Sequence, residues 1–224
     1  MQLVIDLGAH ALSGLRELIA AGYVKKHSTI FCLEANPYIA GEVFRRNIVQ
    51  RIMRDNKGLD IEYLNLAVGD KSGLVNVNCG FYGFAAKNYN ITSKKSIKDA
   101  LVAFYLLVLK KRNLIGQHSN ILLNPPTKVL GIDNSNYKKR FVPSISISSL
   151  IAELINIDKF QEKKSELDLL VKMDIEGAEY DVLESLVNSD LKISDLKTLT
   201  FLIEWHPSYF EDKDLINWLK EYDS

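Results

Sequence analysis

The chain has 224 residues, with 28 basic and 28 acidic side chains, so its formal net charge is zero. Its hydrophobic fraction of 47% excludes a disordered polypeptide and is enough for one α/β domain with a sizeable core. Because the chain has no basic excess to pair with phosphates, we expect no nucleic-acid partner.

Apolar strand segments alternate with amphipathic helices along most of the chain. In chain order, the predicted strands cover residues 3–5, 29–33, 61–68, 74–77, 142–147, 169–173 and 199–203. The predicted helices contain residues 15–22, 37–52, 150–157, 182–187 and 214–222, and the third of them is capped by Ser148 or Ser149. This alternation predicts a single domain over residues 1–224, with a mostly parallel sheet and helices on both of its faces.

Residues 85–140 interrupt this regular pattern. They contain an apolar run at residues 100–109, which is too short to cross a bilayer, followed by a polar stretch with Pro125 and Pro126. We do not expect a segment of this composition to form a sheet element of the core. We therefore expect an insertion that acts as a lid or binds a substrate, and no transmembrane segment.

The two cysteines indicate the compartment. Cys32 and Cys79 each lie in an apolar or strand-like run, which predicts buried thiols in a reducing environment. No signal peptide is recognisable, because Met1 leads almost directly into strand residues. These features predict a cytoplasmic protein.

Polar residues follow the first two predicted strands at the points where they end. The first strand ends at Asp6 and is followed by Gly8, and the second ends at Glu34, twenty residues after Gly14. Adjacent parallel strands bring their carboxyl ends to one edge of a sheet, where open α/β sheets bind ligands. The turn lacks the spacing of a Gly-x-Gly-x-x-Gly pyrophosphate loop, which favours a nucleoside ligand over NAD.

A second group of polar residues follows the last two predicted strands. Asp174, Glu176 and Glu179 come directly after one strand, and Glu204 and His206 follow the other. His206 is a candidate general base, and Asp174 and Glu204 could orient it or bind a hard cation. Two simpler interpretations stay open: a strand-capping role for His206, and a helix N-terminal role for Glu179 through the helix dipole.

Several blocks of this sequence resemble the FkbM family of S-adenosylmethionine-dependent methyltransferases. The matching blocks are residues 4–10 (VIDLGAH), 31–37 (FCLEANP), 66–70 (LAVGD), 172–183 (KMDIEGAEYDVL) and 203–206 (IEWH). The resemblance implies a class I, Rossmann-like methyltransferase fold and the methylation of a hydroxyl group on a sugar or secondary metabolite. Class I enzymes generally add a final antiparallel strand pair, and here either the sheet lacks those strands or they are missing from this sequence.

The resemblance also implies roles for individual residues. Those assigned to S-adenosylmethionine are Asp6, Gly8, Ala9 and His10 in the turn beside the methionine moiety, Glu34 at the ribose hydroxyls and Asn36 near the adenosine. Those assigned to catalysis at the acceptor hydroxyl are Asp174, Glu204 and His206, with Glu176 and Glu179 as substrate-binding residues. We expect the acceptor to be a small molecule or a glycan, and we assign no metal. Residues 85–140 lie outside the matching blocks, and the lid or acceptor-binding role expected for them rests on their composition.

Two other functions compete with methyl transfer. One is a nucleoside-binding subunit of the same fold that has lost catalysis and acts as a partner. The other is an NAD-dependent epimerase or reductase, which the absent pyrophosphate loop disfavours. Binding of S-adenosylmethionine, S-adenosylhomocysteine and NAD distinguishes the three.

Overall fold

The computed structural model describes residues 1–79, 119–120, 128–129, 132–133, 138–175, 178–191 and 196–204. The strands in these ranges are β1 Gln2–Leu7, β2 Thr29–Leu33, β3 Asp60–Leu64, β4 Ala67–Gly69, β5 Gly73–Cys79, β6 Ser119–Asn120, β7 Lys128–Val129, β8 Ile132–Asp133, β9 Lys138–Ser146, β10 Asp168–Met173 and β11 Thr198–Ile203. The helices are α1 Ser13–Ala20, α2 Pro37–Arg45, α3 Ile48–Asp55, α4 Ile147–Ile155, α5 Asp158–Gln161 and α6 Glu179–Val187.

The main sheet has five strands in the order β11-β10-β1-β2-β3. Every neighbouring pair in it is parallel, which confirms the predicted sheet. All six residues of β1 are buried, as expected for the central strand of a sheet that is covered on both faces. The carboxyl ends of β1, β2, β10 and β11 therefore lie along one edge.

Helices cover both faces of the main sheet. Successive residues of a strand point to opposite faces, so an apolar strand gives the sheet two apolar faces for helices to pack on. Leu3, Ile5 and Leu7 of β1 share one hydrophobic cluster with residues of α4, α5 and α6. Val4 of β1 belongs to the cluster on the other face, with residues of α1, α2 and α3. The α/β class and the helices on both faces are confirmed.

A smaller sheet has the strand order β4-β9-β5-β6. In it, β9 pairs parallel with β4 and antiparallel with β5, so the antiparallel strand predicted at residues 74–77 is confirmed. Its small apolar cluster consists of Ala67, Val77, Cys79 and Val142. Both Cys32 and Cys79 are buried free thiols, as predicted.

The predicted strand over residues 61–68 is wrong as a single element. The chain leaves the main sheet after Leu64 and re-forms a strand, β4, in the smaller sheet. The break is stabilised by the end of β2: Leu66 N donates to Glu34 O at 3.2 Å, and Asn65 Nδ2 donates to the same oxygen at 2.7 Å. These tertiary hydrogen bonds divide an apolar run that looks continuous in sequence.

Two predicted helix assignments also need correction. The helix over residues 37–52 is two helices, because Asn47 takes a left-handed conformation with φ of 49° between α2 and α3. The cap of α4 is Ser146 rather than Ser148 or Ser149: its Oγ accepts from Ser149 N at 3.1 Å.

At the end of α6, Val187 is 52% exposed, because Val182 and Leu186 occupy the core-facing side of that helix. Within the insertion at residues 85–140, β6 and the start of β9 join the smaller sheet because their backbones pair with β5, so the expectation that this segment forms no sheet element is wrong at these positions. The lid or acceptor-binding role of the insertion stays a prediction, and most of its residues lie outside the described ones. The helix predicted at residues 214–222 and any C-terminal antiparallel strands also lie outside the described residues and stay predictions. Within the described ranges, no helix combines the length and apolar character needed to cross a membrane.

Candidate functional site

The turn after β1 packs tightly against the end of β10. Gly8 has a φ of 72°, and a Cβ built on it would lie 1.7 Å from the carbonyl oxygen of Asp174. Only glycine fits this position, since it tolerates both the left-handed backbone and the close approach. His10 and Leu12 also have positive φ, at 46° and 63°, so the surrounding structure must hold the turn in an unfavourable backbone conformation.

The end of β2 provides the hydrogen bonds that hold this turn. Gly8 N and Ala9 N both donate to Leu33 O at 3.0 Å. Ala9 is 2% exposed, so it contributes to the shape of the turn through its backbone. The predicted methionine-binding residues are therefore anchored to the strand that carries Glu34.

Glu34 is a buried carboxylate at the end of β2, 4% exposed. His10 N donates to its Oε2 at 2.9 Å and Asn36 N donates to its Oε1 at 2.7 Å. Burial raises the pKa of Glu34 to about 7, against the opposing effect of the two backbone hydrogen bonds. A carboxylate can accept about four hydrogen bonds, so these two do not by themselves exhaust its acceptor capacity.

Asn36 has a structural role that the sequence interpretation missed. It is the N-cap of α2, and its Oδ1 accepts from Tyr38 N at 3.0 Å. Its Nδ2 is buried and has no hydrogen-bond partner among the described residues, which leaves a donor two residues after Glu34 that this part of the chain does not satisfy. The predicted position of Asn36 near the adenosine stays a prediction.

Two residues at the end of β3 support the site and were not predicted. Tyr63 Oη donates to His10 O at 2.7 Å, and burial raises the pKa of this phenol. Asn65 Nδ2 donates to Glu34 O at 2.7 Å and to Ala35 O at 3.2 Å. In sequence, the polar atoms of two side chains inside the run predicted as the third strand, residues 61–68, were the only indication of these contacts.

Lys172 was also missed, although it lies in the block that resembles the family. Its Nζ lies 3.3 Å from Asp6 Oδ1, from Asp174 Oδ2 and from Gly8 O. Its side chain is only 13% exposed. Burial lowers its pKa, but the two carboxylates outweigh that effect and raise it. In sequence, the position of this lysine inside the otherwise apolar segment LLVKM indicated that its side chain needs a polar partner.

Asp6 lies beneath the turn rather than beside an open pocket. Its side chain is fully buried, and neither carboxylate oxygen accepts a hydrogen bond within the described part of the chain. Burial raises its pKa, and the nearby Lys172 ammonium partly offsets this. A direct contact between Asp6 and a ligand stays a prediction.

The acidic residues after β10 and β11 occupy different environments. Asp174 is partly exposed beside Lys172, and Glu204 is exposed, with its N donating to Met173 O at 2.8 Å. The register pairs Met173 with Ile203, so Asp174 and Glu204 follow neighbouring strands at the same edge, as predicted.

Of the remaining residues in this group, only Glu179 lies in the described part of the chain. Glu179 is fully buried at the start of α6, and its Oε1 accepts from Ile175 N at 3.1 Å. This arrangement fits the alternative helix N-terminal role, and substrate binding by Glu179 stays a prediction. Glu176 and His206 lie outside the described residues, so their roles also stay predictions. In the described part of the chain, no group of three histidine, cysteine or acidic side chains is arranged to hold a metal ion.

Comparisons with known proteins give one match. A family model described as the methyltransferase FkbM domain matches residues 6–224. No curated protein and no solved structure matches the chain.

Proposed function

The chain belongs to the FkbM methyltransferase family, since the family model spans nearly all of it, and from this premise we propose that it transfers a methyl group from S-adenosylmethionine to a hydroxyl group. The acceptor is a sugar or a secondary metabolite, either as a small molecule or within a glycan. Methyl transfer itself follows from the family; the donor and the hydroxyl acceptor are the proposed part.

The observation that carries the donor assignment is the fixed carboxylate of Glu34 beside the first turn. Its two backbone hydrogen bonds, from His10 and Asn36, tie it to the turn and to the start of α2. A carboxylate held in this way at the end of the second strand of a parallel sheet suits the two hydroxyls of a ribose. The residues present therefore fit a nucleoside-containing donor.

The chemistry divides between the donor and the protein. When bound, the donor supplies an electrophilic methyl group attached to a sulfonium. The turn at Gly8 and Ala9 positions the methionine end, and Glu34 positions the ribose. His206 accepts the proton of the acceptor hydroxyl, while Asp174 and Glu204 orient the base and the acceptor. The protein contributes mainly alignment and proton removal.

Titration calorimetry with S-adenosylmethionine, S-adenosylhomocysteine and NAD tests this proposal. We expect the first two ligands to bind and NAD not to bind. The Glu34→Gln variant should bind S-adenosylmethionine about tenfold or more weakly, because hydrogen bonds to an ionised group contribute about 1.5–3 kcal/mol. Glu62→Gln, which changes an exposed glutamate of β3, is the matched control and should bind like the wild type.

The other outcomes identify the competing functions. Binding of NAD alone would contradict the proposal and favour the epimerase or reductase hypothesis. Binding of both adenosyl ligands without methyl transfer to a panel of sugar and secondary-metabolite hydroxyls would favour the inactive partner subunit.

A further inference from the structure

Lys172 connects the two halves of the proposed site, yet the proposed function gives it no role. Its ammonium contacts Gly8 O in the turn assigned to the donor and Asp174 Oδ2 at the edge assigned to the acceptor, each at 3.3 Å. The same ammonium also lies 3.3 Å from Asp6 Oδ1. One mostly buried cation, 13% exposed, therefore touches the donor side and the acceptor side together.

The strand register and a glycine hold this cation in place. Lys172 of β10 is the register partner of Asp6 of β1, so the two side chains are neighbours across the sheet. A Cβ on Gly14, in the first turn of α1, would lie 3.3 Å from Lys172 Cε and 3.4 Å from its Nζ. The glycine leaves the room that the lysine side chain needs to pass under α1 and reach the edge of the sheet.

Neutralising Asp6 is not by itself a sufficient reason for a lysine at this position. The Asp6 carboxylate is fully buried and accepts no hydrogen bond within the described residues, so its ionised form requires a nearby cation. A buried ion pair, however, is no more stabilising than a well-packed apolar pair of similar volume. The contacts that an apolar pair could not make are those to Gly8 O and Asp174.

We propose that Lys172 is a positioning residue that couples the donor turn to the acceptor edge, holding the Gly8 carbonyl and the Asp174 carboxylate in one arrangement with Asp6 as its buried counter-ion. The assignment of the turn to the donor and of the Asp174 edge to the acceptor rests on the proposed function. The competing explanation is that Lys172 acts only through Asp6, as the cation that keeps a buried carboxylate ionised.

A double-mutant cycle separates these explanations, because the Asp6→Asn substitution removes the charge that the competing explanation requires. The proteins compared are the wild type, Lys172→Met, Asp6→Asn and Asp6→Asn/Lys172→Met. If Lys172 acts only through Asp6, adding Lys172→Met to the Asp6→Asn protein should change nothing. If it positions the turn and Asp174, removing it from the Asp6→Asn protein should still weaken ligand binding and speed amide exchange in the turn.

The first measurement is calorimetric affinity for S-adenosylmethionine. We expect Asp6→Asn/Lys172→Met to bind about fivefold or more weakly than Asp6→Asn, the lower end of typical couplings between sites. Lys25→Met is the matched control: this lysine pairs with Asp168, also on β10 but at the other end of the strand, and the variant should bind like the wild type. Equal affinity of the single and double variants would overturn the inference.

The second measurement is hydrogen–deuterium exchange of the peptide that covers residues 8–12, without ligand. The amides of Gly8, Ala9 and His10 are all hydrogen-bonded in the folded protein, so their exchange reports opening of the turn. We expect faster exchange in Asp6→Asn/Lys172→Met than in Asp6→Asn. Identical exchange would overturn the inference even if S-adenosylmethionine binds. Faster exchange in a chain whose wild type does not bind S-adenosylmethionine would support the positioning role and contradict the proposed donor.

Discussion

At the scale of single residues, the burial of Glu34 opposes the negative charge that its proposed role in ribose binding requires. The carboxylate must be buried to receive the His10 and Asn36 amides, and burial raises its pKa to about 7. Near neutral pH the buried acid is therefore close to its midpoint, whereas ribose hydroxyls bind most strongly to the ionised form. The balance between charge and burial at this residue makes the site sensitive to pH.

This balance predicts how the stability of the protein depends on pH. The folded pKa lies above the ordinary value of 4.5, so the folded state binds the proton more tightly than the unfolded state. Glu34 therefore costs no stability below pH 4.5, and its cost grows to about 3 kcal/mol as the pH rises through 7.

Urea denaturation of wild type and Glu34→Gln at pH 4.5, 6 and 8 measures this cost. The Gln variant loses one backbone acceptor at every pH, but that offset is constant. We expect the stability of the wild type relative to the variant to fall steadily from pH 4.5 to 8. Parallel pH profiles of the two proteins would show that Glu34 does not titrate in this range.

At the scale of elements, the turn between β1 and α1 is the part of the site with the least steric freedom. It contains three residues with positive φ, Gly8, His10 and Leu12. It is held from the end of β2 by Leu33 O and Glu34, and from β3 by the Tyr63 hydroxyl on His10 O. Two neighbouring strands of the main sheet, β2 and β3, thus fix the turn that follows β1, which is a means of preorganising a binding site.

Substitution of Gly8 tests this tight packing. Gly8→Ala places a methyl group where Asp174 O now lies, in addition to the left-handed backbone penalty, and we expect it to cost about 3 kcal/mol or more. Gly22→Ala is the matched control, because Gly22 has a φ of 80° but no atom within 4 Å of its built Cβ. That variant should cost only the backbone penalty, about 1–2 kcal/mol. Equal losses in urea denaturation would mean that the turn can move away from β10.

At the scale of the whole molecule, the proposed catalytic edge is assembled from distant parts of the chain. Asp6 and Glu34 come from the first two strands, whereas Asp174 and Glu204 follow β10 and β11. The parallel order β11-β10-β1-β2 brings these strand ends side by side, with the residues that we propose for the donor on one half and those that we propose for the acceptor on the other. This division predicts that the two halves can be impaired separately.

The proposed function assigns His206 to the acceptor half of this division. We expect His206→Ala to lower turnover about 10²–10⁴-fold, the usual cost of losing a general base, with calorimetric affinity for S-adenosylmethionine near that of the wild type. The metal hypothesis predicts instead that chelator abolishes activity, that magnesium or calcium restores it, and that Asp174→Asn removes it. Full activity of His206→Ala in the presence of chelator would contradict both and leave His206 as a strand cap.

Much of this architecture follows from short stretches of sequence. The apolar runs of β1, β2, β10 and β11, each with a polar residue at or after its end, were sufficient to predict the parallel sheet and the positions of Glu34, Asp174 and Glu204 at one of its edges. These features depend on the period of hydrophobic residues and on residues a few positions apart, which are properties that a sequence displays directly.

Other features were decided only by tertiary contacts. The strand predicted at residues 61–68 divides because Asn65 and Leu66 bond to Glu34 O, and the ammonium of Lys172 meets Asp6 and Gly8 O because β10 pairs with β1. Residues 6 and 172 are far apart in the chain, and their contact depends on which strands become neighbours and in what register. Local propensity carries no information about that register, so the link between the two halves of the site appears only in the folded protein.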